Sequence, residues 1–472
     1  MTTRAMLPEL DTASSSLSTV RLPGCGSVRL TRRTLAVLDH PAFQRLRVVR
    51  QLGPTSLVYP GAVHTRFEHS IGVYHAASQF VRHLMGVPAF RERVTDEDIL
   101  TVLAAALLHD LGHYPMAHSL EALHLKGNDT PRHEEIAAEI LRGEHPTWSG
   151  PRPLGEVLRR EWGVDPERVI GLFVRKPHEQ ERDTDALIAS IVSGALDADK
   201  VDYLERDSLH MGVPYGRNYD RERLLGSLTV AEDGRSIAIT DKGKTPAEIF
   251  IFGRYMMFSE AYWHHTVRAA SAMVEAAMSD LQALGALPSD RAALTGDLLA
   301  RGDEQVLSWL RSLAPEGSTA FKLLSGLTDH RRGLYKRVLT LNRIVGEEEL
   351  ARAYGVLLQM NAGELRQTRR AMREALNHRF DLVLGPGDLI IDTPPRDKDR
   401  IEDIEVVYPN SRPRRLSQIS AIVRGIAGDF ISCVKKTRVF VAPEFAPALQ
   451  SRPHDVEAVL LEVILGQGSL WG

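Results

Sequence analysis

The chain has 472 residues, 43% of them hydrophobic and 25% charged, with 58 lysines and arginines against 61 aspartates and glutamates and a formal net charge of −3. That length allows two or three structural units, one of them large, and the near balance of charge excludes a globally basic nucleic-acid binder, so a polyanion would have to be held by a local basic cluster. No apolar run approaches the roughly 18 residues of a membrane span, and Cys25 and Cys433 show no metal or redox spacing. With no signal-peptide order at the N-terminus, the expectation is a soluble, cytoplasmic protein without membrane contacts.

Residues 1–16 read as a polar, serine-rich disordered tail. Thr19–Leu22 and Ser27–Leu30 flank Pro23-Gly24-Cys25-Gly26, a hairpin signal. Helical period runs from Thr31 through Val49 and stops at Gly53-Pro54. A helix then begins near His64 and runs to about Leu84. From Thr95 to about Leu225 nearly every segment has helical period, which predicts a mainly α core. Alternation from Ser227 to Lys242 around Asp233-Gly234 predicts an inserted hairpin, and helices resume from Thr245 to about His378. After Arg379 the composition shifts. Residues 381–384, 388–392, 404–408 and 438–441 read as strands, so 17–379 is expected to be a helical catalytic domain and 380–472 a small α+β lobe. The basic run Arg412-Pro-Arg-Arg415 reads as a solvated turn.

The most informative stretch is Leu107-Leu-His-Asp-Leu-Gly-His113, which sets an adjacent imidazole and carboxylate at the end of an apolar helix. Such a pair suits a hard or borderline divalent cation, but alone it fits a helix-end His with a capping Asp equally well. His69 lies one helix upstream. Downstream, the run 197–207 is unusually acidic for a helix that should pack, with Asp199 and Asp202 on one face and Tyr203 and Arg206 beside Asp199.

His69, His109-Asp110 and Asp199 together resemble the H…HD…D signature of HD-domain phosphohydrolases. The closer resemblance is to HD-domain deoxynucleoside triphosphate triphosphohydrolases, including vertebrate members that join a SAM domain to the HD domain, of which only the HD domain and C-terminal lobe are matched. It rests on Phe43-Gln-Arg-Leu-Arg47, Gln51-Leu-Gly53, Arg66-Phe-Glu-His-Ser70, His109-Asp-Leu-Gly-His113 and Asp199-Lys-Val-Asp-Tyr203 with Asp207, and extends from about Thr19 to about Pro443. The fold it implies is a mainly α HD-domain core with small hairpin insertions and an α+β C-terminal lobe.

The four signature residues would fill four positions of an octahedral site, leaving two for water and a phosphate oxygen; Mn, Mg, Fe, Zn and Ni are all chemically reasonable. His113, Glu121 and His133 are candidates for protonating the departing oxygen. The resemblance implies phosphate contacts for Arg66, Lys200 and Arg254. It implies deoxyribose contacts for Gln51, Leu52, Tyr203, Asp207 and Tyr262. Asp39, Gln44, Arg47, Arg223, Lys242, Arg332, Leu334 and Lys336 match positions that contact an activating nucleotide, GTP or a dNTP, between subunits of a homo-oligomer, dimer or tetramer. Two such positions depart from the pattern, with Ser18 and Thr240 where the family has basic residues. The expected activity is cleavage of dNTPs at the α-phosphorus to deoxynucleoside and triphosphate. The alternatives are an HD hydrolase of an alarmone, cyclic dinucleotide, monophosphate or single-stranded nucleic acid, and a non-catalytic nucleotide-binding protein on the same scaffold.

Overall fold

The expected N-terminal hairpin forms from β1 (Ser18–Leu22) and β2 (Gly26–Leu30), paired antiparallel from Ser18↔Leu30 to Leu22↔Gly26. The computed structural model describes residues 7–11, 18–121, 124–125, 128–129, 131–145, 148, 152–174, 182–342, 348–394 and 403–466. The expected tail lies outside them, apart from residues 7–11. Short helices Arg32–Leu38 and Pro41–Gln44 and a tight turn Arg45–Val48 lead to α1 (Arg66–Leu84), which starts where the Thr65 hydroxyl accepts from the Glu68 amide.

Helix α2 (Asp96–Leu108) opens with a reciprocal cap, in which the Thr95 hydroxyl accepts from the Asp98 amide and the Asp98 carboxylate accepts from the Thr95 amide. Every residue from Asp98 to Leu108 is buried, as expected of a run that is apolar nearly all round. The buried Asp98 carboxylate is matched by Arg168, which also donates to Asp185 Oδ1. α3 (His133–Arg142) and α4 (Ala198–Met211) follow, the latter capped by Asp197, whose side chain accepts from the Lys200 amide. α1 packs against both α2 and α4, so the segments bearing His69, His109 and Asp199 meet.

The middle hairpin is β3 (Leu228–Val230) with β4 (Ile237–Thr240), turning at Gly234, whose φ is +70°. α5 (Lys244–Met256) and α6 (His265–Ala283) continue the main helical body, which also takes in the helices Arg291–Leu299, Asp303–Leu313 and Thr319–Thr328. The segment expected to stay helical to about His378 instead contains β5 (Lys336–Leu341) before α7 (Ala362–Phe380). β6 (Leu389–Asp392), β7 (Glu405–Tyr408), β8 (Ser411–Arg415), α8 (Ala421–Val434), β9 (Thr437–Val441) and α9 (Pro453–Gly466) follow.

Two further expectations fail here. Residues 381–384 are not a strand: Asp381 ends α7 in the left-handed region at φ +53°, and the Asn377 side chain accepts from the Leu384 amide at 2.8 Å and donates to its carbonyl at 3.2 Å. Those are the two bonds a neighbouring strand would have made. The basic run 412–415 is not a turn but part of edge strand β8, paired to β7 with Arg415 opposite Glu405.

β7 also runs parallel to β4, giving a four-stranded sheet of order β8-β7-β4-β3 that ties the C-terminal chain to the middle hairpin. The second sheet, β5-β9-β6, is antiparallel throughout. Its central strand β9 is buried on both faces. Val439 and Val441 enter the core shared with α7 and α9, whereas Phe440 and the following Ala442 enter the large helical core. The protein is thus mainly α with small β elements, and no helix among the described residues is long and apolar enough to cross a membrane.

Candidate active site and metal centre

His69 sits in the second turn of α1, held by Asp202 of α4: Nδ1 lies 2.9 Å from Asp202 Oδ2. His109 closes α2, with Nδ1 3.0 Å from the Ala106 carbonyl. A carboxylate and a carbonyl only accept, so both rings carry a proton on Nδ1 and turn Nε2 toward the same space. There His69 Nε2 faces Asp199 Oδ1 at 3.1 Å and Asp110 Oδ2 at 3.5 Å. His109 Nε2 faces Asp110 Oδ1 at 3.5 Å and Asp199 Oδ1 at 3.6 Å.

Both Nε2 atoms are buried and, among the described residues, neither makes a well-directed hydrogen bond, despite the nearby carboxylates. Burial disfavours charge on His69, yet the surrounding carboxylates of Asp199, Asp202 and Asp110 outweigh it and push it up to about 10. Burial likewise opposes ionisation of Asp199, but His109 and His69 hold its carboxyl well below the usual range. His69, His109 and Asp199 bring one ligand atom each within 4.8 Å of one another, while Asp110, grouped more closely with His113 and His133, sets one oxygen 3.5 Å from each of the two Nε2 atoms. These residues fit a divalent cation that accepts mixed nitrogen and oxygen donors.

Asp110 faces a second group. His113 Nε2 lies 3.1 Å from Asp110 Oδ1, and its ring stacks on His133 with centroids 3.8 Å apart and planes 16° off parallel. That stack depends on Gly112, where a Cβ would stand 2.0 Å from the His133 carbonyl oxygen and 2.6 Å from the Ala137 amide. Burial, then the Arg66 and His133 charges, hold His113 well below the ordinary histidine range, so it is neutral. Glu121 ends a short helical turn, His118–Glu121, and its side chain lies outside those described.

The cations expected to meet phosphate are engaged within the chain. Arg66 donates to Asp110 Oδ2 at 2.5 Å, and Lys200 donates to Asp197 Oδ2 at 2.7 Å and the Gly194 carbonyl at 2.9 Å. Arg254 is buried, with its guanidinium 5.5 Å from the Phe258 ring centre. At the other end of α4, Asp207 accepts from Tyr262 at 2.6 Å and lies 2.8 Å from His64 Nε2. The Tyr203 and Tyr262 rings stand 6.5 Å apart, Leu52 is partly buried, and the buried Gln51 Oε1 has no hydrogen-bond partner among the described residues.

The residues matched to effector positions fall into three groups. Gln44 donates to the Leu38 carbonyl beside Asp39, and Arg47 donates to Gln44 Oε1 while stacking over Phe67. Arg223 donates to the Lys242 carbonyl. Arg332 donates to the Leu57 carbonyl near buried Leu334 and exposed Lys336. Among the described residues no hydrogen bond or ion pair joins the three groups within one chain.

Sequence reasoning gave no role to Asp202, Arg206, Glu68, His64 or Arg45. The signal for the first two was the i,i+4 Asp202–Arg206 spacing on the acidic face. Arg45 is buried without a carboxylate partner among the described residues and donates to the Leu111 and His113 carbonyls at 2.6 and 2.9 Å, pinning the turn after His109-Asp110.

Residues 66–161 match the HD domain family, and residues 219–438 match the HD associated region. Residues 66–161 thus carry an HD domain. The HD match contains His69, His109, Asp110, His113, Glu121 and His133, while Asp199 follows on α4 beyond it. An uncharacterised Bacillus subtilis protein, YwfO, is 36% identical over 234 residues, 49% of this chain and 48% of its own. Deoxynucleoside triphosphate triphosphohydrolase SAMHD1 of Gallus gallus is 28% identical over 365 residues, 70% of this chain and 58% of its own. The chain spans about half the length of the first of these curated relatives. A crystal structure titled Phosphohydrolase (BT4208), from Bacteroides thetaiotaomicron, shares the fold with a TM-score of 0.65 at 21% identity, covering 90% of this chain and 99% of that one.

Proposed function

We propose that this HD-domain chain hydrolyses deoxynucleoside triphosphates at the α-phosphorus, releasing deoxynucleoside and inorganic triphosphate. The observation that carries the reading is the face of α4 on which Asp199, Tyr203 and Asp207 follow at four-residue spacing. One end of that face completes the His-Asp cluster, and the other meets Tyr262 and His64 in a site with polar groups suited to a sugar hydroxyl. The similarity to proteins named as deoxynucleoside triphosphate triphosphohydrolases supports the same substrate class.

His69, His109, Asp110 and Asp199 would hold the divalent cation, which when bound supplies a polarised phosphorus centre and a more acidic water. The stacked His113 and His133 stand beside Asp110; His133, the more exposed of the two, gives a proton to the departing ester oxygen while neutral His113 fixes its ring. An incoming triphosphate draws Arg66 from Asp110 and Lys200 from Asp197, exchanging one anion for another. Gln51 and Asp207 receive the 3′-hydroxyl, and Tyr203, Tyr262 and Leu52 close on C2′. Nucleotide contacts at Asp39, Gln44, Arg47, Arg223, Lys242, Arg332 and Lys336 belong to a regulated homo-oligomer in this reading, because the three groups do not join within one chain.

The test is incubation of the purified chain with each dNTP and NTP and Mn²⁺ or Mg²⁺, with chromatographic identification of products. Triphosphate release from dNTPs is expected. No turnover of any dNTP, with or without GTP, overturns the reading, as does cleavage confined to oligonucleotides, cyclic dinucleotides or guanosine tetraphosphate. His133→Ala should retain the metal while losing rate by roughly 10²- to 10⁴-fold, whereas His109→Ala and Asp199→Ala should lose both.

A further inference from the structure

The acidic face of α4 carries one carboxylate too many for the cation. Asp202 is buried and does not point at the cluster; its Oδ2 lies behind His69, against Nδ1. Arg206, one turn on, holds Asp202 with two bonds, Nε to Oδ2 at 2.9 Å and Nη2 to Oδ1 at 2.8 Å. Arg206 Nη1 in turn donates to Glu68 Oε1 at 2.5 Å and to the Pro23 carbonyl of the hairpin at 3.3 Å, while Nη2 lies 3.3 Å from Cys25 Sγ. Glu68 immediately precedes His69 on α1. The result is a closed bracket of Glu68, Arg206, Asp202 and His69 across the α1–α4 interface.

The backbone makes room for it. A Cβ at Gly72 would stand 2.0 Å from Asp202 Oδ1 and 2.3 Å from Arg206 Nη2, so the ion pair occupies the place of a side chain one turn beyond His69 on α1.

We infer that Asp202 is a positioning residue that fixes the ring orientation and the Nε2-presenting tautomer of His69 for the cation, and that Arg206 and Glu68 hold Asp202 in place. A carboxylate on the far nitrogen of a ligating imidazole orients the ring and increases its electron donation to a cation, and losing such a partner typically costs about 10- to 100-fold in metal affinity. Among the described residues His109 Nδ1 meets a main-chain carbonyl, with no side-chain bracket of this kind. The inference rests on the assignment of His69, His109, Asp110 and Asp199 as the ligand set.

The experiment titrates Mn²⁺ into the EDTA-treated full chain by calorimetry and records the visible spectrum of the Co²⁺-loaded protein. Asp202→Ala should weaken Mn²⁺ binding by roughly 10- to 100-fold and shift the Co²⁺ bands. Asp202→Asn, whose amide oxygen still accepts from Nδ1, should restore part of that loss. Arg206→Gln and Glu68→Gln should weaken binding in the same direction, and Glu68→Gln, at the outer end of the bracket, should do so least. Folded Asp202→Asn and Arg206→Gln proteins that bind Mn²⁺ as tightly as the unmodified chain, with unchanged Co²⁺ spectra, overturn the inference. If Asp202→Ala fails to fold, Arg206→Gln and Glu68→Gln decide it. Absence of Mn²⁺ and Co²⁺ binding by the unmodified chain, or unchanged binding in His109→Ala and Asp199→Ala, overturns the ligand assignment instead.

Discussion

Asp207 shows how much one side chain can be committed before a ligand arrives. Its two oxygens are taken by His64 and Tyr262, each within 2.8 Å, and a carboxylate has about four acceptor positions, so it can still accept from a hydroxyl. Asp207→Asn keeps the shape but puts a donor opposite Tyr262 or His64. Under the proposed dNTP hydrolysis, kcat/KM for a dNTP in steady-state assays should fall by roughly 100-fold or more, and the preference for dNTPs over 3′-deoxy analogues should shrink; an unchanged preference would remove Asp207 from the proposed sugar contacts. At this scale, short motifs are legible in sequence because their chemistry is local. His109, Asp110 and His113 announce themselves within one turn of chain. Asp202 does not, because its role lies in a contact with His69 across 133 positions. His64 and Arg45 were hidden for the same reason, their partners being Asp207 and the Leu111 and His113 carbonyls.

Among the elements, α2 was readable because an apolar run behind a Thr-Asp cap has few alternatives to a buried helix. β5 was not, because its Lys336–Leu341 alternation has no meaning until Thr437–Val441 lies beside it. The false strand at 381–384 shows the converse, an apolar segment whose main-chain bonds are met by the Asn377 side chain. α1 carries a further consequence for pH. His75 Nε2 lies 3.1 Å from the Gln79 amide nitrogen, and Gln79 Oε1 accepts from Arg221 at 2.7 Å, so the ring accepts and is neutral. Burial first, then the Arg221 charge, lower His75 to about 4 from its ordinary 6.5. The unfolded chain therefore binds this proton more readily than the folded one. The stability due to neutral His75 is complete above about pH 6.5 and is lost as pH falls toward 4. Thermal unfolding at pH 7.5 and 5 should show a drop in midpoint that is smaller in His75→Gln; an equal drop in both would assign the acid sensitivity to other groups.

At the scale of the whole molecule, the two cores meet in one strand. β9 gives Val439 and Val441 to one side and Phe440 to the other, with Ala442 just beyond, so neither core is complete without residues 437–442. Calorimetry of the full chain should give a single cooperative transition, and a chain ending at residue 379 should be expanded and aggregation-prone; a soluble, cooperatively melting 1–379 fragment would contradict this. The same strand sets the order of events during synthesis. The HD motifs leave the ribosome first, yet the core that holds them waits for Phe440, several hundred residues after His69. Such long-range closure is slow to form, so the helical body stays unfinished, with apolar faces uncovered, until residues 437–442 emerge. The nascent protein should therefore depend on chaperone holding until that strand is made.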